Sequence, residues 1–143
     1  MNDRKETTAD KVLIIPCSGM GKTYGSVGRE AAYVVVEDLR PNHADTLCLS
    51  LLTLQDKKAQ QKVLEHATIT IDGCPKACAK VNVEKSGSTP AAIFRVFDVF
   101  REHKDLRGGS VLDIGDNGRK LAKILAEKVA TTVDDLCNGN RGG

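Results

Sequence analysis

Residues 67–80 read ATITIDGCPKACAK. The stretch from Thr68 to Ile71 alternates β-branched residues, the composition a pleated strand favours. Asp72 and Gly73 end the run, and Gly73 gives the backbone room for a sharp turn. Cys74 then stands at an N-cap position with Pro75 at the first helical position, a standard start signal. Cys78 is four residues beyond Cys74, so a helix here sets both thiols on one face, a turn apart. The stretch therefore predicts a strand running straight into a helix, with chemistry at the junction.

The same grammar extends in both directions. Upstream, KVLII (11–15) is a short apolar run that predicts a buried strand entering the loop PCSGMGKTYGSVG (16–28). In the next segment Ala31, Val34, Val35 and Leu39 lie close to one helical face, and Pro41 marks the stop. DTLCLSLLTL (45–54) has strand character near its start, and LQDKKAQQKVLEH (54–66) places Ala59, Val63 and Leu64 on one side of a helix. Downstream, the periodicity of AAIFRVFDVF (91–100) leaves its state open, and GGSVLDIGDNG (108–118) holds a short strand-like piece. Residues 117–137 form the clearest helix, with Leu121, Ile124, Leu125, Lys128 and Val129 along a partly buried stripe. Strands alternating with helices predict a single α/β domain with a mainly parallel sheet and flanking helices. We expect a flexible segment over 1–10, the domain over 11–137 and a flexible tail over 138–143.

Composition narrows the function. The 143 residues carry 21 Lys+Arg against 19 Asp+Glu, a net charge of +2 that offers no basic footprint for nucleic acid. Aromatic residues are 3% of the chain and Trp is absent, which weakens a base-stacking role. No run approaches the ~20 apolar residues of a membrane span, and MNDRKETTADK lacks the apolar stretch of a signal peptide. The expected location is the cytoplasm, with neither nucleic acid nor membrane as partner.

The five cysteines are Cys17, Cys48, Cys74, Cys78 and Cys137. An odd count without a signal peptide argues against a disulfide framework and leaves packing, redox or metal-ligand roles. In a parallel sheet ligands collect at the carboxyl ends of the strands. Cys17 follows the first strand, Cys48 falls within or at the end of the second, and Cys74 follows the third. Joined by Cys78, they bring four thiols to one rim, a reasonable tetrahedral set for zinc. A helix N-terminus and the nearby Lys76 and Lys80 favour the thiolate form, and Asp72 is placed to accept N–H groups in the turn or to support a ligand. An iron–sulfur cluster takes the same four ligands. The plain alternative for Cys17 and Cys48 is that they are small buried apolar residues. Cys137 is expected to be a bystander, and His43, His66 and His103 stay outside the ligand set.

Two other readings compete. Cys74 and Cys78 form a candidate redox dithiol, although the usual redox spacing has one residue fewer between the thiols. PCSGMGKT resembles the end of a phosphate-binding P-loop, and ATITID resembles the strand ending in Asp that completes such sites. Against this, Pro16 stands where that pattern has Gly, and YGSVG after Thr23 is not the apolar start of a packed helix. No His-Glu pair, Ser-His-Asp set or neighbouring Glu supplies a general base, so catalysis is left open, inclining against an enzyme.

The string Ile71-Asp72-Gly73-Cys74-Pro75-Lys76-Ala77-Cys78-Ala79, with Pro16-Cys17-Ser18-Gly19 upstream and Cys48 between, resembles the DGC family of small zinc-binding proteins. That family is named for the Asp-Gly-Cys motif, matched by Asp72, Gly73 and Cys74. The resemblance covers roughly Val12 to Gly87. It implies zinc as the bound ion and Cys17, Cys48, Cys74 and Cys78 as its ligands, and it implies no particular reaction.

Overall fold

The apolar runs assemble into one four-stranded sheet in which every pairing is parallel. The structure is a computed structural model that describes residues 11–16, 23–47, 49–73, 78–103 and 115–142. In chain order the elements are β1 (Val12–Pro16), α1 (Thr23–Val34), β2 (Ala44–Thr46), α2 (Leu49–Thr53), α3 (Lys57–Glu65), β3 (Thr68–Asp72), α4 (Cys78–Lys85), β4 (Ala92–Arg95), α5 (Val96–Glu102) and α6 (Gly115–Gly142). A wider π-type turn, Val35–Leu39, prolongs α1. The expected α/β class with a parallel sheet and flanking helices is borne out. Among the described residues no helix is long and apolar enough to cross a membrane.

The strand order is β2-β1-β3-β4. The chain leaves β1 in one direction to reach β2, then crosses back over β1 to lay down β3, so the topology reverses between β1 and β3. Each face of the sheet carries its own core. On one face Val12, Ile14, Ile69 and Ile71 pack with Val27, Ala31 and Val35, with Val96 and Val99, and with the inner stripe of α6. On the other, Leu13 and Ile15 meet Leu47, Leu49, Leu52, Ala59, Val63, Ala79 and Val83. A strand covered on both faces is buried throughout. All five residues of β3 are, so its alternation is Ile towards one core against Thr and Asp towards the other.

Some sequence expectations shift. TYGSVG is not loop: α1 starts at Thr23, and Gly28 packs so closely on β3 that a Cβ there would meet Ile71 Cγ2 at 3.1 Å. AAIFRVFDVF divides at Arg95 between strand and helix. Leu64 is exposed beside Gly87 while Ala59 and Val63 are buried. In α6 the buried stripe is Leu121, Ala122, Leu125, Ala126, Val129 and Val133, whereas Lys128 faces solvent and pairs with Glu102 at 3.2 Å. The helix reaches Gly142, past Cys137. The strand-like piece over 110–114 and the segment 1–10 lie outside the described residues.

Candidate metal centre

Three adjacent parallel strands finish at one edge of the sheet. The register pairs Ile14 with Thr46, Pro16 with Ile71 and Asp72 with Arg95, and Leu47 continues the ladder by donating its N–H to the Ile14 carbonyl at 3.3 Å. Neighbouring strands stand ~4.8 Å apart, so the ends of β2, β1 and β3 span only ~10 Å. In the chain Cys17 follows Pro16, Cys48 follows Leu47 and Cys74 follows Gly73. Those three cysteines lie outside the described residues, as do the GMGK loop and Lys76. Cys78, the fourth predicted ligand, is described: it opens α4, is half-buried with a free thiol, and packs against the core formed by Ala79 and Val83. Donor set and topology are therefore compatible with one ion at this edge. Among the described residues alone, no three potential ligands gather.

Asp72 is 1% exposed at the end of β3. Its Oδ1 accepts the backbone N–H of Ala79 at 2.8 Å and its Oδ2 that of Lys80 at 3.3 Å. A carboxylate beneath a helix start satisfies N–H groups that have no partner within the helix. Burial pushes the Asp72 carboxyl above the usual carboxylate range, and the two N–H groups and the Arg95 and Lys80 charges pull it back. The sequence offered Asp72 as an acceptor of N–H groups in the turn or as a support for a ligand; the N–H groups it takes belong to Ala79 and Lys80 in the helix beyond. The part played by Arg95 was missed, since only the β3–β4 register sets it opposite Asp72.

The histidines fall elsewhere. His66 donates from Nδ1 to the Lys11 carbonyl at 2.9 Å, and His43 accepts the Val12 N–H on its own carbonyl at 2.9 Å, so both stand by the amino ends of strands. Cys137 is buried in the core with α6, one turn after Asp134, which is bound to Arg40 just ahead of β2. It too lies at the amino edge of the sheet, away from the rim that Cys78 joins.

The strand order reverses between β1 and β3, the point at which open parallel α/β sheets place their ligands. The chain matches the DGC domain over residues 13–111 and belongs to the DGC family. No curated protein and no solved structure matches it.

Proposed function

We propose that this protein binds a metal ion, zinc, on the thiolates of Cys17, Cys48, Cys74 and Cys78. The observation that carries the reading is the strand order β2-β1-β3, which makes neighbours of the three strand ends that the chain follows with cysteine. Family membership supports it. Four thiolates close the coordination shell, which suits a structural or storage ion more than a catalytic one. Free thiols of this kind belong in a reducing compartment such as the cytoplasm. Elemental analysis of untagged protein purified without added metal is the test, joined to thiol titration before and after unfolding. About one zinc per chain with four thiols protected until unfolding supports the reading. Metal-free protein with freely titrating thiols overturns it, and iron in place of zinc reassigns the ion.

One observation favours a second reading, a phosphate-binding loop: α1 begins at Thr23, directly after GMGK. The Asp that would complete such a site is Asp72, and both of its oxygens are taken by backbone N–H groups. Lys22→Ala abolishes nucleotide binding under this reading and leaves metal content unchanged under the first.

A further inference from the structure

The first turn of α4 contains a peptide unit held from both ends. The Cys78 carbonyl accepts Asn82 Nδ2 at 2.8 Å, and the N–H of the same planar unit, that of Ala79, donates to Asp72 Oδ1 at 2.8 Å. Lys80 N–H takes the second carboxylate oxygen, while Ala79 and Val83 anchor the helix in the core. The Cα of Cys78 is the near end of that unit. Its position relative to β3 is set by a buried side chain of β3 itself, at the strand end the rim is built on.

We infer that Asp72 is a positioning residue for the proposed centre: it fixes the Cys78–Ala79 peptide, and with it the direction from which Cys78 presents its sulfur, without itself binding the ion. The inference rests on the metal reading. Within the Asp-Gly-Cys motif it separates two tasks, Asp72 holding the following helix and Cys74 acting as ligand. Asn82 is the second support, acting on the other end of the same peptide.

Cobalt(II) is the probe, because its thiolate charge-transfer and tetrahedral d–d bands report how many sulfurs surround it. Metal-free wild type, Asp72→Ala, Asp72→Asn and Asn82→Ala are titrated with cobalt, the fold of each being checked by circular dichroism. Loss of supports that orient ligands costs ~10–100-fold in metal affinity. We expect Asp72→Ala to lose affinity in that range and to show d–d bands of fewer sulfur ligands. Asp72→Asn keeps an Oδ1 acceptor for Ala79 and recovers most of the wild-type spectrum. Asn82→Ala, at a half-buried site, weakens uptake in the same direction and keeps the inference testable where Asp72→Ala does not fold. Wild-type affinity and spectrum in both Asp72→Ala and Asn82→Ala overturn the inference while leaving the metal reading in place. A wild type that takes up no cobalt overturns the metal reading, and this inference with it.

Discussion

Arg40 grips Asp134 with two parallel hydrogen bonds, Nε to Oδ1 and Nη2 to Oδ2, each 2.7 Å long, between residues 94 positions apart. The same guanidinium donates from Nη1 to the Leu39 carbonyl at 2.7 Å. The planar fork therefore ties the end of the π-type turn to α6 at the amino edge of the sheet. Both side chains are about a third or more open to solvent, 31% and 44%, so the pair is worth less than its geometry suggests. Asp134→Asn and Arg40→Ala should each lower the Tm by no more than a few degrees, and Arg40→Lys, which cannot form the fork, by nearly as much. Thermal denaturation decides, and three unchanged melting curves would remove the clamp from the account of stability.

That pair also sets a pH dependence. The hydrogen bond from Arg40 holds the Asp134 carboxyl below its usual value of 3.8, with burial opposing and the Arg40 and His43 charges assisting. A carboxyl depressed in the folded state adds stability above its unfolded value, and the gain disappears as pH falls through the folded value. The gap between wild type and Asp134→Asn should be full at ~pH 7 and shrink below ~pH 4. Asp72 acts with the opposite sign: its raised carboxyl favours the folded state as pH drops towards 3.8. Urea titrations of both proteins across that range measure the gap, and a gap of constant size contradicts the assignment.

Gly28 sits in α1 where the helix presses on β3. A Cβ at this position meets Ile71 Cγ2 at 3.1 Å and Val96 Cγ2 at 3.5 Å. Alanine gains ~1 kcal/mol of helix propensity and loses a comparable amount to the squeeze, so Gly28→Ala should be close to neutral. Gly28→Val overpacks the same contact and should cost ~1–3 kcal/mol. Chemical denaturation of the two variants measures both numbers, and an equally mild valine variant would show that α1 can lift away freely.

Thr70 is fully buried on β3, and its hydroxyl has no hydrogen-bond partner among the described residues. An unpaired buried hydroxyl is a liability of ~1–3 kcal/mol. Thr70→Val keeps the branched shape, so it should raise stability by ~1 kcal/mol. A loss of stability on denaturant titration would instead mean that the hydroxyl is bonded.

Cys137, on α6, packs in the core at the far edge of the sheet from Cys78. Cys137→Ser should leave metal stoichiometry unchanged while lowering stability by ~1 kcal/mol, since a hydroxyl replaces a buried thiol. Elemental analysis of the variant checks the first part. A lost equivalent of zinc would bring Cys137 into the ligand set.

The sheet was legible because KVLII and TITID are short runs rich in β-branched residues, the first running into Pro16 and the second into Gly73, and because the parallel rule sends their ends to one edge. That Cys78 lies on a helix was signalled by Pro75, and that Asp72 accepts N–H groups by its place at the end of the strand. Where the sequence misled, a local signal was overridden by a distant contact. Gly25 and Gly28 looked like loop residues, yet Gly28 serves the close approach of a helix to Ile71. In 91–100 the period changes within ten residues, at Arg95, too abruptly for either template to prevail. Leu64 and Lys128 were placed on buried stripes by spacing alone, and only the packing of their neighbours puts both outside.

The pairing of β1 with β3 joins Leu13 to Thr68 and Pro16 to Ile71 across all of α1, β2, α2 and α3. Contacts of that sequence separation form late, because a long loop must close before they give anything in return. Until then the strand ends that make the rim are scattered along a chain with no common edge. Under the proposed function the four thiols share an edge only once β1 has paired with β3. Full metal affinity should then appear only as the sheet closes.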